Sequence, residues 1–88
     1  MVLKAAVIGV GMMGRNHARV FAQMESTRLV AVADSDVRAL EPLRRTYGVQ
    51  GYSDYLRMLD EERPDVVVVS VPTRFHRDVA INAMKHGA

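Results

Sequence analysis

Cysteine and tryptophan are absent from this 88-residue chain, and two phenylalanines and three tyrosines supply all of its aromatic surface. Without cysteine there is no disulfide to staple a small fold, no thiolate metal ligand and no thiol nucleophile. That composition suits a reducing cytoplasm, which is the expected location. Long hydrophobic runs are missing as well. No apolar stretch approaches the roughly 20 residues that span a bilayer. The segment ahead of the first glycines carries only Lys4 and no small-residue cleavage site, so neither a membrane segment nor a signal peptide is expected. Charge of one sign is also scarce. Twelve Lys and Arg stand against ten Asp and Glu, and Arg44-Arg45 is the one adjacent basic pair. A nucleic-acid surface would need a basic stripe and aromatic pairs, and the sequence offers neither.

An apolar fraction of 49% with 25% charged residues argues against disorder, and the length permits one small domain. Short apolar runs alternate with longer amphipathic ones. Leu3 to Ile8 predicts a strand that runs directly into glycines. Met13 to Met24 predicts a helix with Met13, His17, Val20, Phe21 and Met24 on its apolar side. Leu29 to Ala33 is a second strand, ending at Asp34. Pro42 cannot sit inside a continuous helix without loss. A turn over Asp36 to Leu40 is therefore expected, then a short helix with Pro42 near its first position. Gly51-Tyr52 allows a third strand, and Ser53 reads as the N-cap of a helix carrying Leu56 and Leu59. Val66 to Val69, four successive valines, predicts a strand buried on both faces. A last helix is expected from Phe75 to His86, with Val79, Ala80, Ala83 and Met84 inward and Gly87 as its cap. Such alternation predicts an α/β fold, a doubly wound parallel sheet of order 3-2-1-4.

Three features carry chemistry. Gly9, Gly11 and Gly14 form G-x-G-x-x-G where a strand meets a helix. Gly9 permits the turn, Gly11 lets a pyrophosphate approach the backbone, and Gly14 lets the helix pack close to the strand. The helix opening through Met12 and Met13 offers amides and a positive dipole end to the phosphates. Asp34 follows Gly14 by twenty residues, where a dinucleotide fold places its ribose-binding acid. It would repel a 2′-phosphate, and Ser35-Asp36 brings no arginine to relieve that, so NAD is favoured over NADP. Arg38 is near enough to stack on adenine or to soften that discrimination. After the valine strand, the loop Ser70-Val71-Pro72-Thr73 should meet the glycine loop at the point where the winding of the sheet reverses. Val71 and Pro72 would wall the nicotinamide side, Thr73 would reach a ribose or phosphate, and His76 would start the last helix beside the crevice. His17, His76 and His86 have no metal-ligand spacing, so no metal site is expected. No residue has a strong claim as the acid or base of hydride transfer.

The segment Val7-Ile8-Gly9-Val10-Gly11-Met12-Met13-Gly14-Arg15-Asn16-His17-Ala18 resembles the opening of the Gfo/Idh/MocA oxidoreductases. Val30-Ala31-Val32-Ala33-Asp34, Tyr47-Gly48-Val49 and the run Pro64-Asp65-Val66-Val67-Val68-Val69-Ser70-Val71-Pro72-Thr73 extend the likeness over the whole chain. The resemblance implies a Rossmann-like domain of an NAD-dependent dehydrogenase acting on the CH–OH group, or the ketone, of a sugar, nucleotide sugar or cyclitol. It also implies that Ala88 would be followed by a fifth strand ending in Glu-Lys-Pro, whose lysine takes part in catalysis, and by a substrate-binding domain. On that basis residues 1–88 are expected to be an N-terminal, cofactor-binding fragment without turnover of its own. The whole enzyme is expected to be a homo-oligomer, and the fragment to self-associate through the Val66–Val69 edge. A cofactor-sensing domain without chemistry and a site for S-adenosylmethionine are the other readings of the same residues.

Overall fold

Each apolar run becomes a strand and each longer segment a helix, in the order β1 (Leu3–Ile8), α1 (Met12–Gln23), β2 (Thr27–Ala33), α2 (Val37–Tyr47), β3 (Gln50–Tyr52), α3 (Tyr55–Glu62), β4 (Val66–Val69) and α4 (Thr73–Lys85). The computed structural model describes residues 2–87. The strands form one sheet of order β3-β2-β1-β4, and each neighbouring pair is parallel. Parallel strands need their connections on the sheet faces, and the core divides accordingly. On one face Val7, Leu29 and Val32 pack with Ala18 of α1 and with Leu40 and Leu43 of α2. On the other, Ala6, Ile8, Ala31 and Ala33 pack with Met58 and Leu59 of α3 and with Val79 and Ala83 of α4. Leu29 and Val32 share a face despite being three apart. The β1–β2 register passes from Ala5–Leu29 to Ala6–Ala31, and Val30 is the extra residue of a bulge.

The inward stripe of α1 differs from the expected one. Gly14 and Ala18 are its buried residues, whereas Met13, Val20 and Met24 are exposed. The helix lies close against small strand residues, so its contact stripe is built from small side chains that carry no hydropathy signal. Likewise α3 buries Met58 and Leu59 and leaves Leu56 exposed. Its cap is Asp54, which accepts from the Leu56 amide at 3.0 Å, in place of Ser53. In α4, Val79 and Ala83 are buried one turn apart. Met84, 64% exposed, falls on the flank, and the helix starts at Thr73, ahead of Phe75.

Pro42 departs furthest from expectation: it lies within a continuous α2 whose N-cap is Asp36. Proline there removes only the bond to the Arg38 carbonyl, and Pro42 is exposed, so water can satisfy that oxygen. Leu40 and Leu43, both buried, anchor the helix on either side of it. Burial of such side chains contributes about 1.5–3 kcal/mol each, enough to offset the lost bond.

β4 is half-buried at all four valines, not buried on both faces. It pairs with β1 alone and forms the rim of the sheet, so its outer side is open among the described residues. Its entry is fixed by Asp65, whose amide donates to the Lys4 carbonyl at 2.8 Å while its carboxylate accepts from the Lys4 amide at 2.8 Å. Across the sheet, the Tyr52 hydroxyl donates to Glu62 at 2.6 Å. Burial, followed by the neighbouring carboxylates, pushes that phenol well above the usual tyrosine range.

One terminus is strained. α3 ends on Arg63 in the left-handed conformation at φ 47, directly before Pro64. A side chain there costs about 1–2 kcal/mol that glycine would not incur. Arg63→Gly should therefore raise the unfolding free energy by about 1 kcal/mol, read from urea denaturation. Unchanged or lower stability would contradict the strain.

Candidate functional site

The loops that leave β1, β2 and β4 at their carboxyl ends begin level with one another. The Gly9 amide donates to the Ala33 carbonyl and the Ser70 amide to the Ile8 carbonyl, both at 2.7 Å. Gly9 has φ 91, and a Cβ on it would collide with the Ser70 carbonyl oxygen. A Cβ on Gly14 would collide in turn with the carbonyl oxygen of Gly9. The turn, the first turn of α1 and the end of β4 are thus in backbone contact, with no room for a side chain. Gly11 is the opposite case: a Cβ there has nothing within 4 Å, so its backbone faces open space.

That open face adjoins the head of α1. Gly11 is the N-cap of α1 and no side chain caps it. α2 and α3 begin differently, with Asp36 and Asp54 accepting from the Arg38 and Leu56 amides. The first-turn amides of α1, among them those of Met12 and Met13, have no intrahelical acceptor and remain able to bind an anion.

Asp34 closes the other side. Its Oδ2 accepts from the Val10 amide and its Oδ1 from the Asp36 amide, each at 2.9 Å. The carboxylate is therefore fixed to the glycine turn on one side and to the start of α2 on the other. Each oxygen keeps acceptor capacity for a further donor.

A crevice of about 600 Å³ runs along these strand ends. Of the residues expected from sequence, Gly9, Gly11, Asp34, Ser35, Ser70, Val71 and Pro72 line it. Gly14 is buried behind the turn, and the Met12 and Met13 side chains point to solvent. Arg38 is 91% exposed, sits 3.6 Å from Asp36 and does not border the crevice. His76 is exposed and also lies off the lining. Thr73 opens α4, and its side chain lies outside the described residues.

The crevice includes residues that the sequence reading passed over: Ser53 and Tyr55 after β3, and Phe75, Asp78 and Val79 on α4. Two signals point to them. Ser53 and Tyr55 follow the carboxyl end of a third parallel strand, the same edge as Asp34. Phe75, Asp78 and Val79 have the i, i+3, i+4 spacing of one helix face, which His76 does not share. Tyr55 is positioned by Asn82, whose amide donates to its hydroxyl at 2.8 Å. The charged residues in the lining, Asp34 and Asp78, are both acidic. Among the described residues no group of three or more His, Asp or Glu gathers as a metal site would require, and no helix is long and apolar enough to cross a membrane.

A glycine turn ending in an uncapped helix, with a tethered carboxylate at the next strand end, defines a dinucleotide-binding domain of the Rossmann type. The chain belongs to the Gfo/Idh/MocA family, matching the model described as "Oxidoreductase family, NAD-binding Rossmann fold" over residues 3–88. Inositol 2-dehydrogenase from Salmonella paratyphi B is 31% identical over 87 residues, covering 96% of this chain and 26% of that protein. The crystal structure of myo-inositol 2-dehydrogenase from Lactobacillus plantarum superposes with a TM-score of 0.90 at 36% identity, covering 99% of this chain and 26% of that one. The WlbA dehydrogenase from Bordetella pertussis, solved with NADH and UDP-GlcNAcA, has a TM-score of 0.90 at 25% identity over 99% of this chain and 27% of that one. The chain therefore spans about a quarter of the length of these relatives.

Proposed function

We propose that this chain is the cofactor-binding part of an NAD-dependent dehydrogenase that moves hydride between the nicotinamide and a CH–OH or ketone carbon of a sugar, nucleotide sugar or cyclitol. The observation that carries the reading is the Asp34 carboxylate, held by the Val10 amide beside an open Gly11 and an uncapped α1. The residues fit the dinucleotide in chemistry. The Gly11–Met13 amides would hold the pyrophosphate, with Gly14 allowing the helix its close approach. Asp34, with Ser35 beside it, would accept from the adenosine ribose hydroxyls. Val71 and Pro72 would form the apolar wall across the crevice. A lining charged only by carboxylates disfavours the 2′-phosphate of NADP, which supports NAD. When bound, the nicotinamide supplies the hydride acceptor. The groups that touch the reacting hydroxyl are assigned to the three quarters of the enzyme's length that the relatives have in addition. The chain alone is accordingly expected to bind the cofactor without turnover.

Calorimetry on the chain tests the reading. NAD should give saturable binding, and S-adenosylmethionine, the ligand of the other glycine-loop class, should give none. Binding of S-adenosylmethionine with no NAD heat would overturn it.

A further inference from the structure

Asp78 has no part in the ribose and phosphate contacts above, yet it lines the same crevice. It lies on α4 one turn beyond Phe75 and next to Val79, so an acceptor-only carboxylate is set between two apolar walls. Across from this face Tyr55, fixed by Asn82, supplies a further aromatic surface. Asp78 makes no hydrogen bond and no ion pair among the described residues. The other crevice carboxylate, Asp34, has both of its oxygens engaged by backbone amides. No lysine, arginine or histidine is among the lining residues. Arg74, one turn before Asp78 on α4, has its guanidinium stacked on the Phe75 ring at 4.7 Å and forms no ion pair with Asp78 among the described residues. A flat apolar ligand group inserted between Phe75, Val79 and Tyr55 would thus meet one anionic acceptor and would have to present it with an N–H donor. Solvent already wets this carboxylate, so its value lies in discrimination between ligands more than in fold stability.

We infer that Asp78 is the purine-selecting residue of the site, accepting from the exocyclic amine of adenine and rejecting a purine with a carbonyl at that position. The inference rests on the dinucleotide reading and adds to it the recognition of the base. Hypoxanthine places a carbonyl oxygen where adenine has its amine, so a carboxylate set against the amine position faces an acceptor there. It would have to shift along the base edge to reach the N1–H that hypoxanthine carries instead. One charge-assisted hydrogen bond exchanged for one acceptor–acceptor contact corresponds to roughly tenfold or more in affinity. Asparagine has nearly the same shape and carries both a carbonyl and an NH₂ group, so it can accept from the amine or donate to the carbonyl. The substitution therefore removes the rejection without removing the site.

The test compares NAD with its hypoxanthine analogue, nicotinamide hypoxanthine dinucleotide, by calorimetry on the chain and on Asp78→Asn. The chain should prefer NAD by about tenfold or more, and Asp78→Asn should bring the two dinucleotides within about threefold, chiefly by gaining the analogue. Because Asp78 is exposed, Asp78→Asn should keep the thermal midpoint of the chain. Equal binding of the two dinucleotides by the unsubstituted chain, or a preference unchanged in Asp78→Asn, overturns the role of Asp78 while the NAD reading stands. Failure of both dinucleotides to bind overturns the two together.

Discussion

Gly14→Ala is expected to destabilise the chain by about 3 kcal/mol, at the upper end of what one added methyl does in a packed region. Gly11→Ala, three residues earlier, should leave the thermal midpoint almost in place. The two glycines belong to one motif, but their surroundings are opposite. A methyl on Gly14 lands on the carbonyl oxygen of Gly9, which is backbone and cannot rotate away. The Gly9 amide is bonded to Ala33, so that turn cannot retreat without breaking into the sheet. Relief requires α1 to lift from the β1 surface against which Ala18 is buried. Helix propensity works in the other direction, since alanine is favoured over glycine by about 1 kcal/mol inside a helix. The collision has to exceed that gain for the variant to be destabilised, and a backbone collision does. On Gly11 the methyl meets nothing within 4 Å, and φ of −64 suits alanine. It would instead fill the space through which a pyrophosphate reaches the α1 amides. A loss of NAD affinity of about ten- to a hundredfold follows from the charge-assisted hydrogen bonds this would break. Urea denaturation and calorimetry on the two variants separate the effects. A Gly14→Ala chain as stable as the parent would mean that α1 does not rest on the turn.

How much of this was legible beforehand depends on what kind of signal each residue leaves. The sheet order followed from strand–helix alternation together with the rule for parallel crossovers, and it agrees with β3-β2-β1-β4. The family was readable from spaced blocks around Gly9–Gly14, Asp34 and Pro64–Thr73, and the match over residues 3–88 agrees with it. Contacts made by small residues were not legible. The stripe Gly14–Ala18 that seats α1 has no hydropathy contrast, so of the expected apolar side Phe21 packs on the core while Met13, Val20 and Met24 lie exposed. Pro42 misled for a different reason. Its local penalty is real, but two buried leucines in the same helix outweigh it. In the crevice, the residues at strand ends line the wall where the motif sets them by sequence distance. Val79 is buried as its spacing predicts, but Phe75 and Asp78 leave no motif signal, and only the face they share with Val79 on α4 brings them to the crevice in place of His76. Arg38 was judged by nearness in sequence, whereas in α2 it turns outward to Asp36.

Asp34→Asn should weaken NAD binding by about tenfold and nearly abolish discrimination against NADP, and it should also lower stability. The carboxylate serves two masters. Its oxygens accept from the Val10 and Asp36 amides, and asparagine can offer an acceptor to only one of them. The bond to Val10 is part-buried and the bond to Asp36 exposed, so asparagine should keep its acceptor on Val10 and turn its NH₂ group to the Asp36 amide, at a cost of about 1 kcal/mol. That loss loosens the tie between the glycine turn and the start of α2, so a fall in NAD affinity alone would not separate positioning from direct contact. The ratio of NAD to NADP affinity does separate them, because loosening the turn weakens both ligands alike. A carboxylate and a phosphate charge roughly 5 Å apart repel by about 3 kcal/mol at an effective dielectric of 20, and solvent in an open crevice reduces this by about half. The parent chain should therefore prefer NAD by at least tenfold, and Asp34→Asn should hold the two within about threefold. Added salt should narrow the preference of the parent and leave that of the variant unchanged. A parent chain that binds NADP more tightly than NAD, or a ratio that survives the substitution, would remove Asp34 from the ribose and leave it as a clamp on the turn.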